Sequence, residues 1–166
     1  TIQKKDTTLE IAIENIDIGG PTMLRSGAKN YKHTVVITDT KDYSLLIKEM
    51  EENHNSVSEK LSFYLARKVF SHTALYDSTI SNYFNKMEGD EFPEILTLGF
   101  VKKQSLRYGE NPHQRASYYI PQNKFKGLDP LQGKELSFNN LLDFDSALQI
   151  ASQMPKGTVS IIKHLN

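Results

Sequence analysis

Apolar residues recur along this chain first at helical spacing and then at strand spacing, and the change from one to the other divides it. Thr7-Thr8-Leu9-Glu10 precedes Ile11, Ile13 and Ile16, which predicts a short helix with Thr7 as its cap and Glu10 three residues on. Ile16-Asp17-Ile18-Gly19-Gly20-Pro21 interrupts it. Pro21 suits a first helical position, and Met23, Leu24 and Ala28 continue at helical spacing, so the glycine pair should lead into a second helix. The β-branched run Thr34-Val35-Val36-Ile37-Thr38 predicts a buried strand, closed by Asp39-Thr40. Helical spacing resumes from Tyr43 to Met50. Between about Ser56 and Phe84, Leu61, Tyr64, Leu65, Val69, Phe70, Leu75, Ile80 and Tyr83 form a wide stripe, predicting a long helix with an interruption near Ser71-His72-Thr73.

Glu88-Gly89-Asp90-Glu91-Phe92-Pro93 combines acids, a glycine and a proline that stop a helix, and it is the expected domain boundary. Beyond it, residues 96–101 and 116–120 read as strands flanking a polar turn. A loop rich in Lys, Gly and Gln follows Pro121. Leu141, Leu142, Phe144, Ala147, Leu148 and Ile150 then make a helix face, with Ser137 or Asn139 available as cap. After the turn Pro155-Lys156-Gly157, residues 158–162 predict a strand that delivers Lys163-His164 at its C-terminal end, where open α/β sheets collect ligands. The order of elements predicts an α/β fold with no internal repeat.

Composition narrows the function classes. The 166 residues carry 20 Lys+Arg and 20 Asp+Glu, and the resulting zero charge argues against a generic nucleic-acid or membrane-surface binder. Without cysteine there is no disulfide framework, thiol nucleophile or cysteine metal site. No apolar run approaches the roughly 20 residues that span a bilayer, and no signal-peptide pattern opens the chain, so a cytoplasmic protein is expected. Thr1 is not an initiator methionine, and both ends are expected to be cut.

The densest candidate chemistry is Arg107-Tyr108-Gly109-Glu110-Asn111-Pro112-His113-Gln114. Arg107 can offer a two-pronged donor to phosphate or carboxylate, Tyr108 a flat face with a polar tip, and His113 a proton near neutral pH. Gly109 and Pro112 order the turn. Read alone, the run also fits a solvated polar loop.

Four ordered segments resemble the bifunctional purine-biosynthesis family that joins AICAR transformylase to IMP cyclohydrolase. They are residues 16–21 with Ala28-Lys29-Asn30, Leu106 through Gln114, Ser137 through Asp145, and Ile161-Ile162-Lys163-His164. The resemblance spans essentially the whole chain. It implies residues 1–95 as the end of a methylglyoxal-synthase-like cyclohydrolase domain and residues 96–166 as the start of a cytidine-deaminase-like transformylase domain. It implies formyl transfer from 10-formyltetrahydrofolate, a cosubstrate, to AICAR, and closure of formyl-AICAR to IMP with loss of water, in a homodimer without a metal.

Residue roles follow from the same resemblance. Asp17 and Lys29 match cyclohydrolase active-site positions, and Ile18 and Gly19 the backbone that meets the base. Lys29 lies about three helical turns beyond Gly19, so the helix must be short or bent to bring it to the same pocket. Asp17 also reads as a helix-capping carboxylate and Lys29 as a solvated last-turn cation. Transformylase positions match His164 as the proton-transfer residue and Lys163 as the cation that stabilises the reacting formyl group. Arg107 and Tyr108 match contacts to the AICAR phosphate and ring, and Asn140 an amide that meets AICAR. His113 and Asn111 are expected to shape the loop, and Phe138 to pack beneath the site or in the core. The family's upstream phosphate loops are absent from this stretch, and further contacts lie beyond Asn166. Two other readings remain at this level: a non-catalytic nucleotide-binding or dimerisation fragment, and RNA binding through Lys102, Lys103 and Tyr108.

Overall fold

The computed structural model describes residues 7–121, 128 and 130–164. The chain is mixed α/β and folds as two compact units, Thr1–Gly99 and Phe100–Asn166.

The first unit is helical. Helix α1, Leu9–Glu14, is capped by Thr8, whose hydroxyl accepts the Ile11 N–H at 3.3 Å. The cap is thus one residue later than the expected Thr7. Helix α2 spans Gly19–Lys29 and begins two residues before Pro21. Helix α3, Tyr43–Glu52, follows a 3-10 turn at Thr40–Asp42. Helix α4 runs unbroken over Glu59–Glu88. The expected interruption at residues 71–73 does not occur, because Thr73 is fully buried and its hydroxyl donates back to the Phe70 carbonyl inside the helix. Ser58 caps the start, and Gly89 ends the helix in the left-handed conformation at φ 75°.

Helices α2 and α4 meet through Ala28, Ala66 and Val69, with Leu24, Tyr31 and Val36 packed around them. Residues 34–38 form no strand among the described residues, contrary to the β-branched pattern. β-propensity measures fit to a half-buried surface rather than a backbone preference, and Val36 finds that surface on the α2–α4 core. Gly27 makes the approach possible, since a Cβ there would lie 2.6 Å from Val36 Cγ2. Lys68 on α4 donates to the buried Asp42 carboxylate, which ties the 3-10 turn to the helix and raises the ammonium's pKa above its ordinary value.

The second unit is built on an antiparallel pair, β1 at Phe100–Leu106 and β2 at Ala116–Pro121, followed by α5 at Phe138–Ser152. Strand β1 starts four residues later than expected and continues through Lys102-Lys103-Gln104-Ser105. A bulge between Lys102 and Gln104 breaks the alternation, so the polar run does not read as a strand in sequence. Residues 158–162 are not a strand either; Val159 and Ile161 are 80% and 89% exposed. The loop read after Pro121 lies largely outside the described residues. Among the described residues no helix is long and apolar enough to cross a membrane.

Candidate functional site

The turn between β1 and β2 is held by its own backbone and by one glutamine. Gly109 N–H donates to the Gln114 carbonyl at 2.9 Å, and Gln114 N–H to the Asn111 carbonyl at 3.0 Å. Asn111 N–H donates to Gln114 Oε1 at 2.8 Å. Gly109 is buried, and a Cβ there would lie 3.0 Å from Gln114 Cβ, so the close approach depends on glycine. Asn111 shapes the loop as expected, but His113 takes no part in these bonds.

Helix α5 docks against this turn through its first residues. Ser137, 1% exposed, and Asn140 form a reciprocal capping box: Asn140 N–H donates to Ser137 Oγ at 3.3 Å, and Ser137 N–H to Asn140 Oδ1 at 3.1 Å. Arg107 N–H donates to the Leu136 carbonyl at 3.1 Å and Phe138 N–H to the Tyr108 carbonyl at 3.2 Å. The Asn139 amide reaches the Glu110 carbonyl at 3.4 Å. The cap of α5 and the Arg107–Gln114 turn are therefore one structure. Phe138 is 41% exposed and is not a core aromatic.

The arginine joins the same arrangement. Its guanidinium donates to Asn140 Oδ1 at 3.2 Å and lies 5.3 Å from the centroid of the Tyr108 ring. Asn140 Oδ1 is thereby committed twice to the protein, while Nδ2 is left as a donor for another group. Three residues on, Asp143 shares that helix face and accepts the His164 backbone N–H at 3.4 Å. His164 sits in the left-handed region at φ 59°, a conformation that costs roughly 1 kcal/mol for a residue with a Cβ and persists where neighbours hold it. Lys163 and His164 are exposed. Sequence reasoning missed Asp143 as a partner of the His164 backbone. Its offset from Asn140 places it on the same helix face, but the return of the chain that brings His164 to it is set by tertiary structure.

The first unit separates its candidates. Asp17 Oδ1 accepts the Gly20 N–H at 2.9 Å, so the carboxylate caps the first turn of α2, and Asp17 N–H donates to the Tyr76 hydroxyl at 2.8 Å. Ile18 is 71% exposed and Gly19 is exposed beside it. Lys29 lies at the far end of a continuous helix, a rise of about 15 Å from Gly19 at 1.5 Å per residue. The helix runs for 11 residues without a break. Asp17 and Lys29 are therefore not brought into one cluster within this unit.

Comparison with known proteins adds three findings. A family model described as "AICARFT/IMPCHase bienzyme" matches residues 27–166. The chain is 58% identical over 166 residues to the bifunctional purine biosynthesis protein PurH of Leptospira biflexa, covering 100% of this chain and 32% of the relative. Its counterparts in Bacillus cereus and Listeria monocytogenes are 51% and 49% identical over 170 aligned positions, again with 100% of this chain and 33% of the relative covered. The chain spans about a third of the length of the curated relatives it matches.

Proposed function

From its membership of the AICARFT/IMPCHase bienzyme family, we propose that this chain supplies parts of both catalytic centres of the enzyme for the last two steps of IMP synthesis. Residues 1–95 are then the end of the cyclohydrolase domain, with a methylglyoxal-synthase-like fold. Residues 96–166 begin the transformylase domain, with a cytidine-deaminase-like fold. The word "bifunctional" in the names of the relatives supports an enzyme over a non-catalytic nucleotide-binding or dimerisation piece.

In the second unit the supporting observation is the chain of contacts Arg107–Asn140, then Asp143–His164, which gathers three separate sequence segments. Arg107 takes the AICAR phosphate with its remaining N–H groups, and Tyr108 lies against the heterocycle. The uncommitted Nδ2 of Asn140 donates to the substrate. The AICAR amine is weakly nucleophilic because its lone pair is delocalised. Its nitrogen attacks the formyl carbon of 10-formyltetrahydrofolate, forming the new C–N bond as the bond to folate N10 breaks. His164 removes the amine proton, the departing N10 gains one, and the Lys163 ammonium stabilises negative charge on the carbonyl oxygen. The site works in a homodimer.

In the first unit, ring closure requires the carboxamide nitrogen to attack the formyl carbon and water to leave. Exposed Ile18 and the bare backbone of Gly19 meet the base, Asp17 manages the proton, and Lys29 acts as a separate contact rather than as Asp17's neighbour. Calorimetric titration of AICAR tests the second-unit reading. Arg107→Lys keeps the charge but loses the two-pronged donor and should weaken binding about tenfold. Unchanged affinity would remove Arg107 from the phosphate site.

A further inference from the structure

Helix α4 carries an aromatic hydroxyl to the loop between α1 and α2. Leu65, Val69 and Thr73 are fully buried on α4 at four-residue steps, and Tyr76 follows three residues later on the same face. Its side chain is half-buried, and its hydroxyl accepts the Asp17 N–H at 2.8 Å across 59 residues of sequence. A tyrosine suits this place, because its ring continues the packed stripe while its polar tip reaches a backbone donor.

Asp17 has little else to hold it. It is exposed in the connection between two helices, and its N–H finds no backbone acceptor among the described residues. The other ties nearby are local: Asp17 Oδ1 takes the Gly20 N–H at 2.9 Å, and the Thr22 hydroxyl donates to the Ile18 carbonyl at 2.7 Å. Both join the loop to the first turn of α2, so they shape it without fixing it to α4. The Tyr76 bond does that. Among the described residues Asp17 Oδ2 has no hydrogen-bond partner, which leaves one carboxylate oxygen to hold the loop and the other to meet a ligand.

We infer that Tyr76 is a positioning residue of the ring-closing centre, fixing the Asp17 backbone to α4 so that Oδ2 keeps its place against the substrate. The inference rests on the reading of Asp17 as the group that manages the proton in ring closure. Tyr76 touches no reacting atom and acts through Asp17. Without its hydroxyl the carboxylate is still present but its backbone is released, and misplacement of a reacting group slows the chemical step more than it weakens binding.

Steady-state closure of pre-formed formyl-AICAR by the intact protein tests this in Tyr76→Phe, Asp17→Asn and the double variant. Tyr76→Phe keeps the ring and loses the acceptor. Its kcat for closure should fall about tenfold with KM changed by less than about twofold, while formyl transfer stays at the native rate. The double variant should be no slower than Asp17→Asn alone, an outcome that a general structural role would not produce. The Asp17 amide should be protected from hydrogen exchange in the native protein and exchange about fivefold faster in Tyr76→Phe. Protection in the native protein checks the bond even where Tyr76→Phe does not fold. Native closure in Tyr76→Phe, a raised KM with kcat kept, additive losses in the double variant, or an unprotected Asp17 amide would each overturn the assignment while leaving Asp17 in the centre. Native closure in Asp17→Asn instead removes Asp17 itself, and the role of Tyr76 falls with it.

Discussion

Replacing Asn140 by alanine removes two acceptor roles at once, from the Ser137 N–H at 3.1 Å and the Arg107 guanidinium at 3.2 Å. The neutral bond contributes about 1 kcal/mol net. The charged bond is exposed to solvent, which limits it to about 0.5–1 kcal/mol. Alanine's better helix propensity offsets about 0.6 kcal/mol of the loss. The α5 cap should therefore weaken by about 1 kcal/mol, a factor of roughly five in local opening. Asn140→Asp behaves differently: it keeps both acceptors and adds negative charge in the first helical turn, where it gains about 0.5 kcal/mol. Hydrogen exchange at the Ser137 amide separates the two. Protection should fall in the alanine variant and hold or rise in the aspartate variant, while AICAR binding weakens in both, because neither side chain offers the Nδ2 donor. Equal loss of protection in both variants would refute the assignment of Oδ1 to the protein and Nδ2 to the ligand.

Gly20→Ala places a methyl group against the Asp17 carboxylate, which must swing away from the Gly20 N–H. Loss of this cap costs about 1 kcal/mol, which the roughly 0.5–1 kcal/mol gained by Gly→Ala inside a helix largely offsets, so the urea midpoint should move little in Gly20→Ala but fall in Asp17→Ala, which removes the cap alone; an unchanged midpoint in Asp17→Ala would show that Asp17 does not cap α2. Glu49 accepts the Ser58 N–H at 2.7 Å, and hydrogen bonding to Ser58 holds its pKa below the ordinary glutamate value. A lowered carboxylate pKa stabilises the fold above the unfolded-state value, and this contribution disappears as pH falls through the lowered one. Melting temperature between about pH 5 and pH 3 should thus fall less steeply in Glu49→Gln than in the native protein, and parallel curves would rule out this linkage.

The helices were legible because their signals are local. A wide apolar stripe and a terminal glycine mark α4 locally, although the interruption expected at residues 71–73 does not occur and the Ser58 cap was not read, and Ser137, one of the two caps read, starts α5. Strands depend on partners, and there the sequence misled. Val36 and Ile161 have the residue types of strands, yet one packs on helices and the other is exposed without a pairing strand among the described residues. Strand β1 was half hidden because its bulge shifts the alternation at Lys103. Arg107, Tyr108 and Asn140 are named from motif resemblance, and the structure brings the Arg107 guanidinium beside the other two. The Asp143–His164 bond spans 21 residues and depends on how the chain returns to α5, which no local pattern encodes.

We propose that the segments gathered around Arg107 and His164 serve formyl transfer, while Asp17 and Lys29 serve ring closure. Separate assays of the two reactions in His164→Ala of the intact protein test it most directly. Formyl transfer from 10-formyltetrahydrofolate to AICAR should fall by about a hundredfold or more, the usual contribution of a positioned proton-transfer group. Closure of pre-formed formyl-AICAR to IMP should proceed at the native rate. Equal loss of both activities in a folded variant, or formyl transfer that survives intact, would remove His164 from a site devoted to formyl transfer.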